Sequence, residues 1–254
     1  MGRLILAVFL LLAPFLSAQA QTVSEPRFKA IAFDAFPIFD PRPIANLAEE
    51  IFPGKGSELM NSWRTRQFEY QWLRALSDQY VDFMQATEEG LVFAARGLDL
   101  NLTDDRKDRL MSVYMNLSVW PDAVPSVKAL REAGFRLVFL SNMTEEMLEN
   151  GLKKANLSHE FEAIYSTNAV RSYKPARKAY QIAVDELNLS RDEILFVGFA
   201  GWDVAGAKWF GYPTYWVNRL GSPMEELGVS PDAEGANLQA LVEYVTTRAG
   251  SETE

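Results

Sequence analysis

One recurrence in this chain limits its fold more than any other feature. A short apolar run ends in a polar residue, and an amphipathic stretch of helix length follows. Ile31-Ala32-Phe33 ends at Asp34, and Phe135 to Leu140 ends at Ser141-Asn142. Ala163-Ile164-Tyr165-Ser166, Glu193 to Val197 and Pro213 to Val217 read as further strands. Between them, Val124–Ala133, Glu145–Ala155, Ala176–Leu187 and Trp202–Phe210 read as helices, and Leu238–Thr247 as a last one before a frayed Ala249–Glu254. Strands alternating with helices imply an α/β fold with a doubly wound parallel sheet. In such a sheet the carboxyl ends of the strands share one edge, where ligands bind. Asp34, Ser141, Asn142, Lys174 and Asp203, far apart in sequence, therefore converge on one pocket.

Pro41-Arg42-Pro43 cannot continue the first strand, because proline lacks an N–H and fixes φ. From Ile44 to about Leu117 the pattern is helical throughout. Trp63, Gln67, Tyr70 and Arg74 fall on one face, and Phe68, Trp72 and Leu76 on an adjoining one. Thr103-Asp104-Asp105 reads as a helix start, with Thr103 as N-cap and acids in the first turn. The expected organisation is a core from residues 27–40 and 120–247, with a helical cap subdomain at 41–119 inserted after the first strand.

Residues 1–20 are set apart from this pattern. Arg3, the apolar stretch Leu4–Leu16 and the small-residue site Ala18-Gln19-Ala20 read as a cleaved export signal. The apolar stretch is short for a membrane span. A periplasmic or secreted protein with no membrane span after cleavage is the expectation. Loss of Arg3 would move the formal charge from −9 to −10, a poor balance for binding nucleic acid. With no cysteine, disulfides and thiol catalysis are excluded. The single histidine, His159, lies in a polar loop and reads as a solvated side chain rather than a catalytic base.

Taken together, Trp63-Arg64 with Gln67, Leu140-Ser141-Asn142, Tyr173-Lys174-Pro175 with Tyr180, and Gly201-Trp202-Asp203 resemble the haloacid dehalogenase superfamily, and within it the type II 2-haloacid dehalogenases. The similarity runs from Lys29 to Val245. It implies a HAD-like Rossmannoid core with a helical cap, a small 2-haloacid as the partner molecule, no metal and no cofactor; the family commonly forms homodimers. It also implies roles. Asp34 is the nucleophile that forms an ester, and Lys174 stabilises its charge. Arg64, Asn142 and Trp202 receive the halide, and Ser141 holds the substrate carboxylate with nearby backbone N–H groups. Phe36, Phe83 and Trp202 line an apolar pocket, and Tyr180 binds substrate. Asp203 pairs with Lys174, positions water and also caps its helix.

The chain departs from the resembled pattern at two places. Pro37 and Ile38 stand where glycine and threonine are usual, and Gly198 and Ala200 where serine and asparagine are usual. Groups that steady the nucleophile loop and orient water are thereby missing. Two alternatives stay open on sequence alone. One is a degenerate relative that binds small carboxylates without efficient turnover. The other is a phosphatase of the same superfamily, which would need an acid at Phe36 and another near Phe199 for magnesium.

Overall fold

The computed structural model describes residues 28–251; the expected leader at 1–20 lies outside them. The chain runs β1 (Ala30–Phe33), α1 (Arg42–Ile51), α2 (Gly56–Leu76), α3 (Phe83–Gly97) and α4 (Asp104–Met115), then α5 (Ala123–Glu132), β2 (Arg136–Ser141), α6 (Glu145–Lys154) and β3 (Ala163–Ser166). It continues through α7 (Arg177–Leu187), β4 (Ile194–Gly198), α8 (Gly201–Phe210), β5 (Thr214–Val217), β6 (Ala233–Gly235) and α9 (Leu238–Ser251). The six strands form one parallel sheet in the order β3-β2-β1-β4-β5-β6. This is the expected doubly wound α/β architecture.

Both faces of the sheet are covered, which is why its central strands are apolar without interruption. Every residue of β1 is buried. Its alternation sends Ile31 and Phe33 into one core, with Leu137, Phe139, Leu195 and Val197. Ala30 and Ala32 enter the other, with Val138, Leu140, Ile194 and Phe196. Helices α7 and α8 close the second face through Tyr180, Ala183, Ala207 and Phe210.

The helix ends follow local chemistry. Thr103 accepts from Arg106 N at the start of α4, and Asp104 and Asp105 fill the first turn, favourably placed at the positive end of the helix dipole. Thr144 caps α6 in the same way, ahead of Glu145 and Glu146. Gly134, just past α5, takes φ +90°, a conformation open to glycine at little cost.

Helices α1 to α4 follow one another without a strand between them, as the helical reading of 44–117 expects. Their two connections to the sheet run side by side. Phe39 pairs with Val119 in an isolated antiparallel bridge, Asp40 N donates to Ser118 O at 2.8 Å, and Trp120 N donates to Ile38 O at 3.0 Å. Helices α2 and α3 meet closely at Gly90, where an added Cβ would lie 3.1 Å from Gln67 N. Trp63 Nε1 donates to Thr87 O at 2.7 Å across that contact.

Phe68, Trp72 and Leu76 share one side of α2, and Leu76 ends the helix with 86% of its surface exposed. Two elements depart from the reading of the sequence. Strand β6 was not expected, since Ala-Glu-Gly shows neither apolar character nor alternation. The last helix continues to Ser251, beyond the predicted end at Thr247 and into the stretch expected to fray.

Candidate active site

Asp34 follows β1 directly, and its backbone N–H donates to Val197 O at 2.9 Å, carrying the β1–β4 pairing one residue further. The side chain therefore sits at the carboxyl edge of the sheet, between the ends of β2 and β4. Lys174 Nζ donates to Asp34 Oδ1 at 2.8 Å and to Asp203 Oδ2 at 2.6 Å. Tyr180 Oη donates to Asp203 Oδ1 at 2.6 Å. Asp34 Oδ2 accepts a longer bond from Phe36 N, 3.4 Å.

Lys174 is 1% exposed, so this is a buried charge cluster with one ammonium between two carboxylates. Burial pulls the lysine down, yet Asp203 and Asp34 outweigh it and leave its pKa raised. Burial pushes Asp203 up to about 6 against the pull of Lys174, with the charge of Asp34 adding to the rise. Burial, reinforced by Asp203, also holds the Tyr180 phenol well above its ordinary value, so it stays a donor.

In front of Asp34 lies a cavity of about 230 Å³. Phe36, Arg64, Phe83, Ser141, Asn142 and Trp202 line it, together with Met60, Phe68, Tyr114 and Leu220. Arg64 comes from α2 on the opposite side, so the helical block and the sheet edge share the cavity. Its guanidinium lies 5.7 Å from the Phe68 ring centroid and forms no salt bridge among the described residues. The indole Nε1 of Trp202 is buried and has no hydrogen-bond partner among the described residues. Ser141 Oγ accepts from Met143 N at 3.2 Å. The wall thus combines apolar surface with N–H donors and a cation, a setting for a small anion.

Lys174, Asp203 and Tyr180 stand behind Asp34, off the cavity wall. Tyr180 is therefore not placed to touch substrate directly: its hydroxyl is committed to Asp203, and the residue is fully buried. The expectation that Asp203 also caps α8 is likewise corrected. Ala200 is the N-cap residue, with no side-chain bond, and Asp203 lies in the first turn with its carboxylate turned to Lys174 and Tyr180. His159 is exposed, away from this cluster.

Two site residues had no signal in the sequence. Trp120 Nε1 donates to Phe36 O at 3.0 Å, and Arg219 Nη2 donates to Pro37 O at 2.9 Å. Arg219 is itself paired with Asp122, Nη1 to Oδ1 at 3.0 Å, and stacks 4.6 Å from the Trp120 ring centroid. The loop after the nucleophile is thus held from outside by two neighbouring side chains, although Ile38 offers it no hydroxyl. At Gly198 an added Cβ would meet Val204 Cγ2 at 2.7 Å, so valine fills the space a side chain there would take.

The donor set does not fit a divalent cation. Magnesium needs several oxygen ligands in near-octahedral array. Phe36 and Phe199 occupy the places of the extra acids, and the point between Asp34 and Asp203 is filled by the Lys174 ammonium. Among the described residues no three His, Cys, Asp or Glu side chains come together to hold a metal ion.

Comparison with known proteins agrees with this geometry. Residues 15–211 match the model of the haloacid dehalogenase-like hydrolase family. An (S)-2-haloacid dehalogenase of Pseudomonas sp. (strain YL) is 39% identical over 223 residues, 87% of this chain and 96% of that protein. Haloacetate dehalogenase H-2 of Moraxella sp. (strain B) is 36% identical, over 86% of this chain and 98% of its own. Among solved structures, the L-2-haloacid dehalogenase of Xanthobacter autotrophicus with chloropropionic acid covalently bound superposes with a TM-score of 0.79 at 30% identity, covering 86% of this chain and 98% of that one.

The charge cluster predicts a measurable titration. Asp203 in the folded protein should titrate near pH 6, above its unfolded value of 3.8. Its protonation then strengthens the fold as pH falls from 6 towards 4, and that contribution is lost as pH rises through 6. Tyr180→Phe removes a donor to the ionised form, so the midpoint should move upward. Carbon NMR of labelled aspartate checks both statements; a midpoint unchanged or lowered in the variant contradicts them.

Proposed function

This chain belongs to the haloacid dehalogenase-like hydrolases, in the lineage of the (S)-2-haloacid dehalogenases, and we propose that it hydrolyses short-chain L-2-haloalkanoic acids to 2-hydroxy acids with inversion at C2. The observation that carries this reading is Asp34: a carboxylate held by a buried ammonium at 2.8 Å, open to a cavity, with no second acid at residue 36. A phosphatase would need that acid and a metal.

The reaction is written as two displacements at Asp34. A carboxylate oxygen attacks C2 opposite the halogen; the carbon–halogen bond breaks and its electron pair leaves with the halide. Lys174 Nζ, 2.8 Å from Asp34 Oδ1, holds the attacking carboxylate in place. Arg64, the indole N–H of Trp202 and Asn142 stabilise the departing anion, in a pocket whose apolar wall strengthens each interaction. Ser141 and the backbone N–H groups after β2 hold the substrate carboxylate. Water then attacks the ester carbon of Asp34 and gives one proton to Asp203; the ester C–O bond breaks, the hydroxy acid leaves with that proton, and Asp34, left as the acid, returns to the carboxylate by releasing the second water proton to solvent. Tyr180 and Lys174 orient Asp203 for this step.

A single turnover in heavy-oxygen water tests the assignment. Label should appear first in the Asp34 carboxylate and reach product only in later turnovers. Label that enters product directly contradicts a covalent intermediate.

We propose in addition that residues 1–20 direct export and are removed, on the support of the Arg3, Leu4–Leu16 and Ala18-Gln19-Ala20 pattern. Intact-mass measurement of the expressed protein should find a chain beginning at Gln21 outside the cytoplasm; a full-length cytoplasmic chain contradicts the proposal.

A further inference from the structure

Asn142, at the mouth of β2, is the meeting point of a hydrogen-bond chain whose far end is on α2. The backbone N–H of Lys174 donates to Asn142 Oδ1 at 2.9 Å. A main-chain N–H is always a donor, so this bond decides which end of the Asn142 amide is oxygen. Thr167 Oγ1 donates to the same oxygen at 3.1 Å, and both of its lone pairs are then used. Nδ2 must face the other way, and it donates to Gln71 Oε1 at 3.1 Å. That bond in turn fixes the Gln71 amide, whose Nε2 is buried with no partner among the described residues.

The bookkeeping leaves one N–H of Asn142 without a protein acceptor among the described residues, on a side chain that lines the cavity in front of Asp34. Gln71 is fully buried and does not itself line that cavity. Its contact with Asn142 joins the helical block to the sheet edge. Two others fix the connection that follows α2: Tyr80 Oη donates to Asn168 Oδ1 at 3.0 Å, and Tyr173 Oη donates to Val81 O at 2.5 Å. Helix α2 is therefore seated on the same loops that carry Asn142 and Lys174.

We propose that Gln71 is a positioning residue: by taking one N–H of Asn142 it aims the other into the cavity, and so ties halide departure to the seating of α2. This rests on the dehalogenase reading of Asp34 given above. Gln71 acts through Asn142 and touches no reacting atom. Its contribution is made in the transition state, when negative charge collects on the halogen, so it belongs to kcat more than to KM. A poorer leaving group leans harder on the donors that receive it.

The test compares Gln71→Met, nearly isosteric, and Gln71→Leu with the wild-type enzyme on L-2-chloropropionate and L-2-bromopropionate. In both variants kcat on the chloro acid should fall about tenfold, the scale of one lost hydrogen bond of this kind. The fall on the bromo acid should be smaller, with KM changed less than about twofold. Equal losses on the two substrates, or wild-type kcat in a folded variant, overturn the inference and leave the role of Asp34 standing. Halide release from neither substrate by the wild-type enzyme overturns the dehalogenase reading and the inference with it. A measurement on wild type alone stands even where a variant fails to fold: bromide titration should shift the side-chain amide resonances of Asn142 and Gln71 together. A shift at Asn142 with none at Gln71 overturns the inference.

Discussion

The ammonium of Lys174, shared between Asp34 and Asp203, is the interaction on which the rest of the site depends. One cation between two buried carboxylates leaves the cluster with a net negative charge, and that charge is concentrated where a nucleophile is needed. Burying ions costs several kcal/mol each before their mutual attraction is counted, and removing one partner from such a cluster typically costs about 3–5 kcal/mol. Stability alone does not explain this arrangement, because an apolar replacement of similar volume is often no less stable. Chemistry does: the lysine holds Asp34 at the cavity and Asp203 behind it, where burial pushes this second acid up to about 6.

The surrounding fold is shaped to admit this cluster. Helix α8 must come close enough for Asp203 to reach both Lys174 and Tyr180. Gly206 permits it, since a Cβ there would lie 2.6 Å from Tyr180 Oη and from Pro175 Cβ. The ring of Phe196, 5.0 Å from Lys174 Nζ, covers the ammonium from the β4 side and excludes water. In front, the nucleophile loop is fixed by Trp120 and Arg219 through the carbonyls of Phe36 and Pro37. The loss of a hydroxyl at Ile38 is therefore met by side chains that come from the loop after β5 and from the return connection of the helical block. The space at Gly198 is closed by Val204, so the site has been repacked there rather than left hollow.

Much of this could be read before the structure. The apolar runs that became β1, β2, β4 and β5 are unbroken because both faces are covered, and the residue after each run marks the sheet edge. Asp34, Ser141 and Asn142 were found by that rule, and Lys174 and Asp203 by their separation along it. What stayed hidden depended on long-range partners. Asp203 looks like a cap because acids favour helix starts, but the cap is decided by where the backbone enters the helix, and a buried ammonium competes for its oxygens. Tyr180 is a tyrosine on a helix face until Asp203 is seen against it. Gln71 sits among aromatic residues with nothing in its neighbours to show that it meets Asn142, and Arg219 reads as one more surface charge. Strand β6, three residues without alternation, has no pattern to find.

The central claim is that Asp34, paired with the Lys174 ammonium, carries out the proposed displacement without a divalent cation. Its most direct test is the initial rate of halide release from L-2-chloropropionate in chelator-treated buffer, with and without added magnesium. The account predicts equal rates in the two conditions and no activity for Lys174→Met in either. Activity that disappears with chelator and returns with magnesium would contradict it.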